Sequence, residues 1–386
     1  MLELLGAASF GYAFNPDGDA DWSRVYRELY EHRVASVPCD YIADLPLDDK
    51  LRSVWRRHCV AQQFFFDKLT AAENEICDAF EKQGIPYVIL KGMTAAMNYP
   101  VPSHRSMGDI DILIHECDDD RATEVLTGLA YEGDKLPAGK HKRFCRGDID
   151  VELHYHVTKL KNAKWDRIFD EHMLAGIDHG VKKTAGSAAF YMFPVMETGI
   201  VILQHLYGHL TGEGAGLRQV MDWMMFVHAS GLSDWTEFND FARRVGVYEF
   251  QKIVTRMCER YLGLPHRDDL DWCLSADDET CGELMGFILS MGNFGNKEKR
   301  QGINRKVLFY KDIPTTFKRI QKGGICRWKA ARNHAVLRPF AWMYQLGRVG
   351  MLFIRHGYSL DELRRDIGDA DDTGRLFAKL RQDERE

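Results

Sequence analysis

The sequence predicts an α+β protein, a small mixed β-sheet with helices packed on it, followed by an α-helical region. Three observations predict this. GDIDILI (108–114) and DIDVELHYH (148–156) alternate apolar with polar residues at the strand period of two. Between Tyr87 and His156 the patterns run strand, helix, strand, helix, hairpin. From about Tyr191 onward the strand signals fade and amphipathic helical segments replace them.

Taken in order, residues 1–46 form an N-terminal extension with one short helical pattern at Trp22–Arg33. An α/β domain spans 47–190. It opens with a long helix from Leu47 to Gln83, with Asp48 as its N-cap and Gly84 as its stop. YVIL after Gly84 is a buried strand ending at Lys91-Gly92, and MTAAMNY is a short helix closed by Pro100 and Pro102. In GDIDILI, Ile110, Ile112 and Ile114 take one face and Asp109 and Asp111 the other. A helical pattern follows over 118–129, and HKRFCR and IDVELHYHV flank a tight turn at Gly147-Asp148. Residues 191–290 read as a helical bundle, and 291–386 as a basic helical region with a charged C-terminal tail.

With 45% hydrophobic and 28% charged residues over 386 positions, the chain has the composition of a globular protein with a sizeable core. The net charge of -6 hides an asymmetry. No Asp or Glu occurs from Ile313 to Leu360, where Lys318, Arg319, Lys322, Arg327, Lys329, Arg332, Arg338, Arg348 and Arg355 alternate with aromatic residues. That segment fits a phosphorylated polymer, an anionic membrane surface, or the acidic remainder of the same chain. The acidic overall balance and the lack of a recognised module argue against a dedicated nucleic-acid binder. Nine cysteines, never spaced C-x-x-C, indicate neither a disulfide framework nor a zinc knuckle. Glu3 stands where a secretory signal carries positive charge, and no apolar run reaches the ~20 residues of a membrane span. The expected location is the cytoplasm.

Aspartates at i and i+2 of a strand point the same way and can share a cation. Magnesium, or manganese, takes hard oxygen ligands and leaves places for substrate phosphates. Asp109 and Asp111 make one such pair, and Asp150 and Glu152, alternating with Val151 and Leu153 and joined by His154, make a second. The same pattern is also what the wet face of a half-exposed sheet looks like.

Leu90-Lys91-Gly92, then Arg105 with Asp109–Ile114, then Asp150–His154, then His205 with His209 and Leu217-Arg218 with Asp222, resemble in order the uncharacterised bacterial nucleotidyltransferase family of the DNA polymerase beta-like superfamily. The resemblance covers roughly residues 50–230. It implies that Asp109, Asp111 and Glu152 are the catalytic, metal-binding carboxylates, with Asp150 as the fallback for the third. It further implies transfer of a nucleoside monophosphate from a triphosphate to an acceptor hydroxyl, possible acceptors including sugars and lipid-linked glycans, with pyrophosphate released. Lys91, Gly92, Thr94 and Arg105 are the expected nucleotide-binding residues. The superfamily's usual Gly-Ser or Gly-Gly is Gly92-Met93 here, which keeps open an inactive nucleotide-binding or regulatory protein on the same scaffold.

His205 and His209 are one turn apart and share a helix face, fit for a metal or a phosphate, or simply polar surface. Arg218 and Asp222 belong with them in a polar network. His154 and His156 are placed to orient Glu152 or a ligand, while His141 and Lys142, which open the preceding strand, could reach a phosphate but are expected at the surface.

Overall fold

Asp48 starts the longest helix, its carboxylate accepting from the Leu51 N–H at 2.7 Å. Helix α3 (Asp49–Lys82) then runs 34 residues, roughly 50 Å at 1.5 Å per residue. Gly84, at a φ of 61°, ends it in the left-handed region. The computed structural model describes residues 1–133, 141–157, 162–185, 187–212, 214–293, 313–328, 330–331, 334–356 and 372–380. Those up to 293 belong to one compact unit and those from 313 to 380 to another.

In the first unit, strands β1 (Tyr87–Ile89), β2 (Ile110–Ile114), β3 (Glu132–Gly133), β4 (His141–Arg146) and β5 (Ile149–His154) form a sheet in the order β1-β2-β5-β4-β3. The β2–β5 pair is parallel, and β1–β2, β4–β5 and β3–β4 are antiparallel, so the sheet is mixed. Ile110, Ile112, Ile114, Val151 and Leu153 are buried in one cluster with Leu69, Ile76 and Phe80 of α3 and with Ala122 and Leu126 of α5 (Asp119–Gly128). Each such large aliphatic or aromatic side chain stabilises the fold by about 1.5–3 kcal/mol. The alternation that sends these residues inward turns Asp111, Glu152 and His154 to the opposite face.

Among the elements that the sequence patterns miss are a hairpin and a helix. A hairpin of β6 (Val181–Ala185) and β7 (Ala188–Met192) packs on β1 and α3. Val181 to Thr184 are exposed throughout, so β6 has no apolar alternation to read. Helix α1 (Leu2–Phe10) packs on α10 (Tyr248–Leu262), with Leu4 and Leu5 fully buried. LELLGAASF is apolar nearly all round, so no helical period stands out. Gly6 permits the close approach, since a Cβ there would meet the Leu262 carbonyl oxygen at 2.6 Å. The expected helix at Trp22–Arg33 is α2 (Trp22–Glu31). Cys39 and Cys59 form a disulfide, where the scattered cysteines indicate no disulfide framework. Their positions, 20 residues apart, carry no signal; helix α3 brings them together.

The remaining α-helices of the first unit are α4 (Met93–Ala96), α6 (Ala163–Ala175), α7 (Val195–Thr211), α8 (Leu217–Ala229), α9 (Thr236–Arg244) and α11 (Asp278–Met291). Helix α8 is central: Leu217, Val220, Met221 and Trp223 through Val227 are all buried, and it packs on α7, α10 and α4. Its contact with α4 joins the helical part to the sheet.

The second unit contains α12 (Ile313–Arg327) packed on α13 (Ala341–His356). The backbones approach closely, because a Cβ on Gly324 would collide with the Ala341 carbonyl. Trp328 stacks on Tyr344 at 5.4 Å. Phe317, Val336, Phe340, Met343, Leu346 and Met351 are exposed. The end of the basic segment, 357–360, and the tail after 380 lie outside the described residues. Among the described residues, no helix is long and apolar enough to cross a membrane.

Candidate active site

The parallel pairing of β2 with β5 sets Asp111 directly opposite Glu152. With Asp109 two residues earlier, their carboxylate oxygens lie within 4.8 Å of one another. Asp111 is buried, whereas Asp109 and Glu152 are partly exposed. Lys91, two residues beyond the first strand, places Nζ 2.9 Å from Asp111 Oδ1. His154 donates from Nε2 to the same oxygen at 2.8 Å and stands 3.3 Å from Glu152 Oε2.

The charges are arranged unequally. Burial would raise the pKa of Asp111, but the Lys91 ammonium and the His154 hydrogen bond outweigh it and hold the carboxyl well below its usual range. Asp109 is pushed up by burial and then by the charge on Asp111, against a smaller pull from Lys91. The hydrogen bond from His154 lowers Glu152 despite burial. Burial acts to lower Lys91 and His154; the carboxylates around them prevail and raise both.

Helices α7 and α8 border this polar face. His205 and His209 stack edge to face at 4.3 Å between centroids on α7. Burial, then the charges of Lys91, His209 and Arg218, hold His205 well below its ordinary value. Burial, then Lys91 and Arg218, push His209 down to about 4. Both imidazoles are therefore neutral near pH 7. Arg218 donates to the Ser106 carbonyl at 3.3 Å from the start of α8.

Gly92 has a φ of 69°, a conformation that side chains rarely adopt, and a Cβ there would meet Met107 Cε at 3.3 Å. It turns the chain from the first strand into α4. Thr94 and Arg105, both expected at phosphate, are engaged elsewhere. The Thr94 hydroxyl is buried and donates to the Leu90 carbonyl at 3.1 Å. Arg105 is buried and grips Asp222 of α8 through two bonds of 2.7 Å, and Tyr99 donates to the same carboxylate at 2.9 Å. The guanidinium charge is thus matched within the protein, and Asp222 is satisfied there and not by the histidines. Asp150 is taken by Arg143 at 2.8 Å, His156 by Asp170, and Lys142 by Asp119.

Sequence reasoning assigned His141 to the surface, and its ring is indeed exposed, but it stands opposite His154 across the β4–β5 hairpin with Nε2 3.7 Å from Glu152 Oε1. The signal was available: a turn at Gly147-Asp148 pairs residues whose numbers sum to a constant, and that arithmetic sets 141 against 154. Tyr99 gave no comparable signal.

A family model described as an uncharacterised nucleotidyltransferase matches residues 18–263. Among solved structures, an antigenic nucleotidyltransferase-like protein from Paracoccidioides brasiliensis is similar at 12% identity, covering 55% of this chain and 94% of that chain with a TM-score of 0.34. No curated protein matches.

Proposed function

The chain belongs to the uncharacterised nucleotidyltransferase family, and from that premise we propose that it moves a nucleoside monophosphate from a nucleoside triphosphate to an acceptor hydroxyl. One observation carries the proposal: Asp109, Asp111 and Glu152 converge within 4.8 Å on a sheet face bordered by Lys91, His205, His209 and Arg218. Three hard oxygen donors at that spacing fit magnesium or manganese. When bound, the cation draws charge from the phosphate oxygens and favours ionisation of the acceptor hydroxyl.

The protein's own groups supply the rest. Asp109, Asp111 and Glu152 hold negative charge in a fixed cluster, which the Lys91 ammonium orients through Asp111. Lys91 and Arg218 offer positive charge to the triphosphate, and Gly92 shapes the turn beneath it. Neutral His205 and His209 give hydrogen-bonding groups without adding repulsion to the basic side. Glu152, at the partly exposed edge, accepts the proton of the acceptor hydroxyl. The acceptor oxygen then bonds to the α-phosphorus as the bond to the bridging oxygen breaks, and pyrophosphate leaves. The acceptor class proposed is a sugar, a lipid-linked glycan or a small metabolite hydroxyl.

A second reading has its own support. The Lys91 ammonium within the carboxylate cluster and the Thr94 hydroxyl committed to Leu90 suit a protein that holds nucleotide without turning it over. Pyrophosphate release, measured with each common triphosphate, magnesium or manganese and a broad acceptor extract, separates the two. Release that disappears in the Asp109→Asn, Asp111→Asn double variant supports transfer. Metal-dependent thermal stabilisation by triphosphate with no release supports the binding protein, and neither response would overturn both.

Peripheral contact of the 313–360 segment with an anionic membrane surface is part of the same proposal. It is supported by the lack of acidic residues there and by exposed Phe340, Met343 and Met351. Sedimentation with anionic but not neutral vesicles tests it.

A further inference from the structure

His141, Glu152 and His154 lie on one face of the β4–β5 hairpin, two imidazoles and a carboxylate whose donor atoms fall within 4.8 Å of one another. This donor set differs from the three carboxylates beside it, with which it shares Glu152. We propose that these three residues hold a divalent transition ion, of the zinc, cobalt or manganese class, in a position adjoining the carboxylate cluster. The proposal rests on the reading of Glu152 as a metal-binding residue, and it adds nitrogen ligation that the proposed transfer reaction does not require.

The spacing is close to that of ligands, with one imidazole beside each oxygen of Glu152. Two donors on a four-coordinate ion with bonds of ~2.0–2.1 Å sit about 3.3 Å apart. His154 Nε2 is 3.3 Å from Glu152 Oε2, and His141 Nε2 is 3.7 Å from Glu152 Oε1. The second separation is too long for a hydrogen bond, so His141 is aimed at the carboxylate without being bonded to it. Strand geometry accounts for the convergence. Residues 152 and 154 share a face of β5 by the period of two, and antiparallel register places 141 directly opposite 154 with ring centroids 5.1 Å apart.

The donor chemistry selects the ion. Magnesium prefers oxygen and keeps its waters, whereas imidazole nitrogen favours zinc, cobalt and, more weakly, manganese. Two histidines with one carboxylate leave a coordination position open to water or substrate. His154 is nearly buried, and to ligate the ion its Nε2 gives up the proton it donates to Asp111, which couples the two positions. A hydrogen-bonding bridge between two carboxylates is the competing role for His154, but that role has no use for His141.

The test uses the full chain, stripped with chelator, and reads binding rather than turnover. Zinc and cobalt titrations by calorimetry should give a Kd at least tenfold tighter than that for magnesium. Bound cobalt should show the intense visible absorption of low-coordinate nitrogen ligation. His141→Gln, at an exposed ring, should weaken zinc and cobalt at least tenfold and lose that absorption while keeping its circular dichroism. Asp109→Asn should leave the cobalt spectrum in place. Unchanged zinc affinity in His141→Gln, or wild-type protein that binds zinc no better than magnesium, overturns the proposal. The outcome is separable from the transferase reading: zinc binding without pyrophosphate release removes only the latter, and release with magnesium but unchanged zinc affinity in His141→Gln removes only the former.

Discussion

Asp222 of α8 holds the guanidinium of Arg105 with both carboxylate oxygens, each bond 2.7 Å long, across 117 residues of chain. Both side chains are buried, so neither charge has water to fall back on. Replacing one partner, as in Arg105→Met or Asp222→Ala, should destabilise the fold by about 3–5 kcal/mol, whereas replacing both with apolar residues should cost much less. Urea denaturation of the two single variants and the double variant measures this, and additive losses would disprove the coupling.

Asp109 and Asp111 should respond differently to neutralisation. Asp109 is partly exposed and repelled by Asp111, so Asp109→Asn should lower transfer by about 10²–10³-fold with little loss of stability. Asp111→Asn removes the partner of both Lys91 and His154, and it should lower activity and melting temperature together. Steady-state pyrophosphate release and thermal melts on the two variants test the contrast.

Lys91→Met should weaken triphosphate binding by about tenfold or more, because a charged donor to phosphate is lost. It also removes the cation that holds Asp111 ionised, so the pKa of that carboxyl should rise. Calorimetric titration with a non-hydrolysable triphosphate in magnesium reads the first effect. Equal affinity in wild type and variant would remove Lys91 from the phosphate side.

Glu73 of α3 is buried, its oxygens have no hydrogen-bond partner, and burial raises its pKa from 4.5 to about 8. An acid raised in the folded state is favoured in its neutral form. The unfolded chain loses its proton first, so the stability present below pH 4.5 falls as the pH rises toward about 8. Glu73→Met should therefore be more stable than wild type by roughly 2–4 kcal/mol at pH 8, with the difference shrinking toward pH 5. Chemical denaturation across that range is the measurement, and a gap independent of pH would count against it.

The Cys39–Cys59 bridge closes a loop of 20 residues at the start of α3. Cys39→Ser with Cys59→Ser should lower stability by about 3 kcal/mol under non-reducing conditions. A reductant should then affect the wild type and leave the variant unchanged.

The sequence alone determined what local chemistry can determine. Asp48 and Gly84 marked the ends of α3, and the period of two in GDIDILI and IDVELH separated core from polar face, because capping and pleat depend on neighbouring residues only. The motifs over residues 50–230 and the family match over 18–263 point to the same family. Strand β6 and helix α1 were illegible, the first for want of a buried face and the second for want of a polar one. What only the tertiary structure decided is who meets whom. Arg105 and Thr94 look like phosphate ligands until Asp222 and the Leu90 carbonyl arrive beside them. Asp111 meets Glu152 through a parallel register that no turn specifies, and Lys91 reaches the pair because β1 lies against β2. Those contacts join residues far apart in the chain, and only packing of the whole unit brings them together.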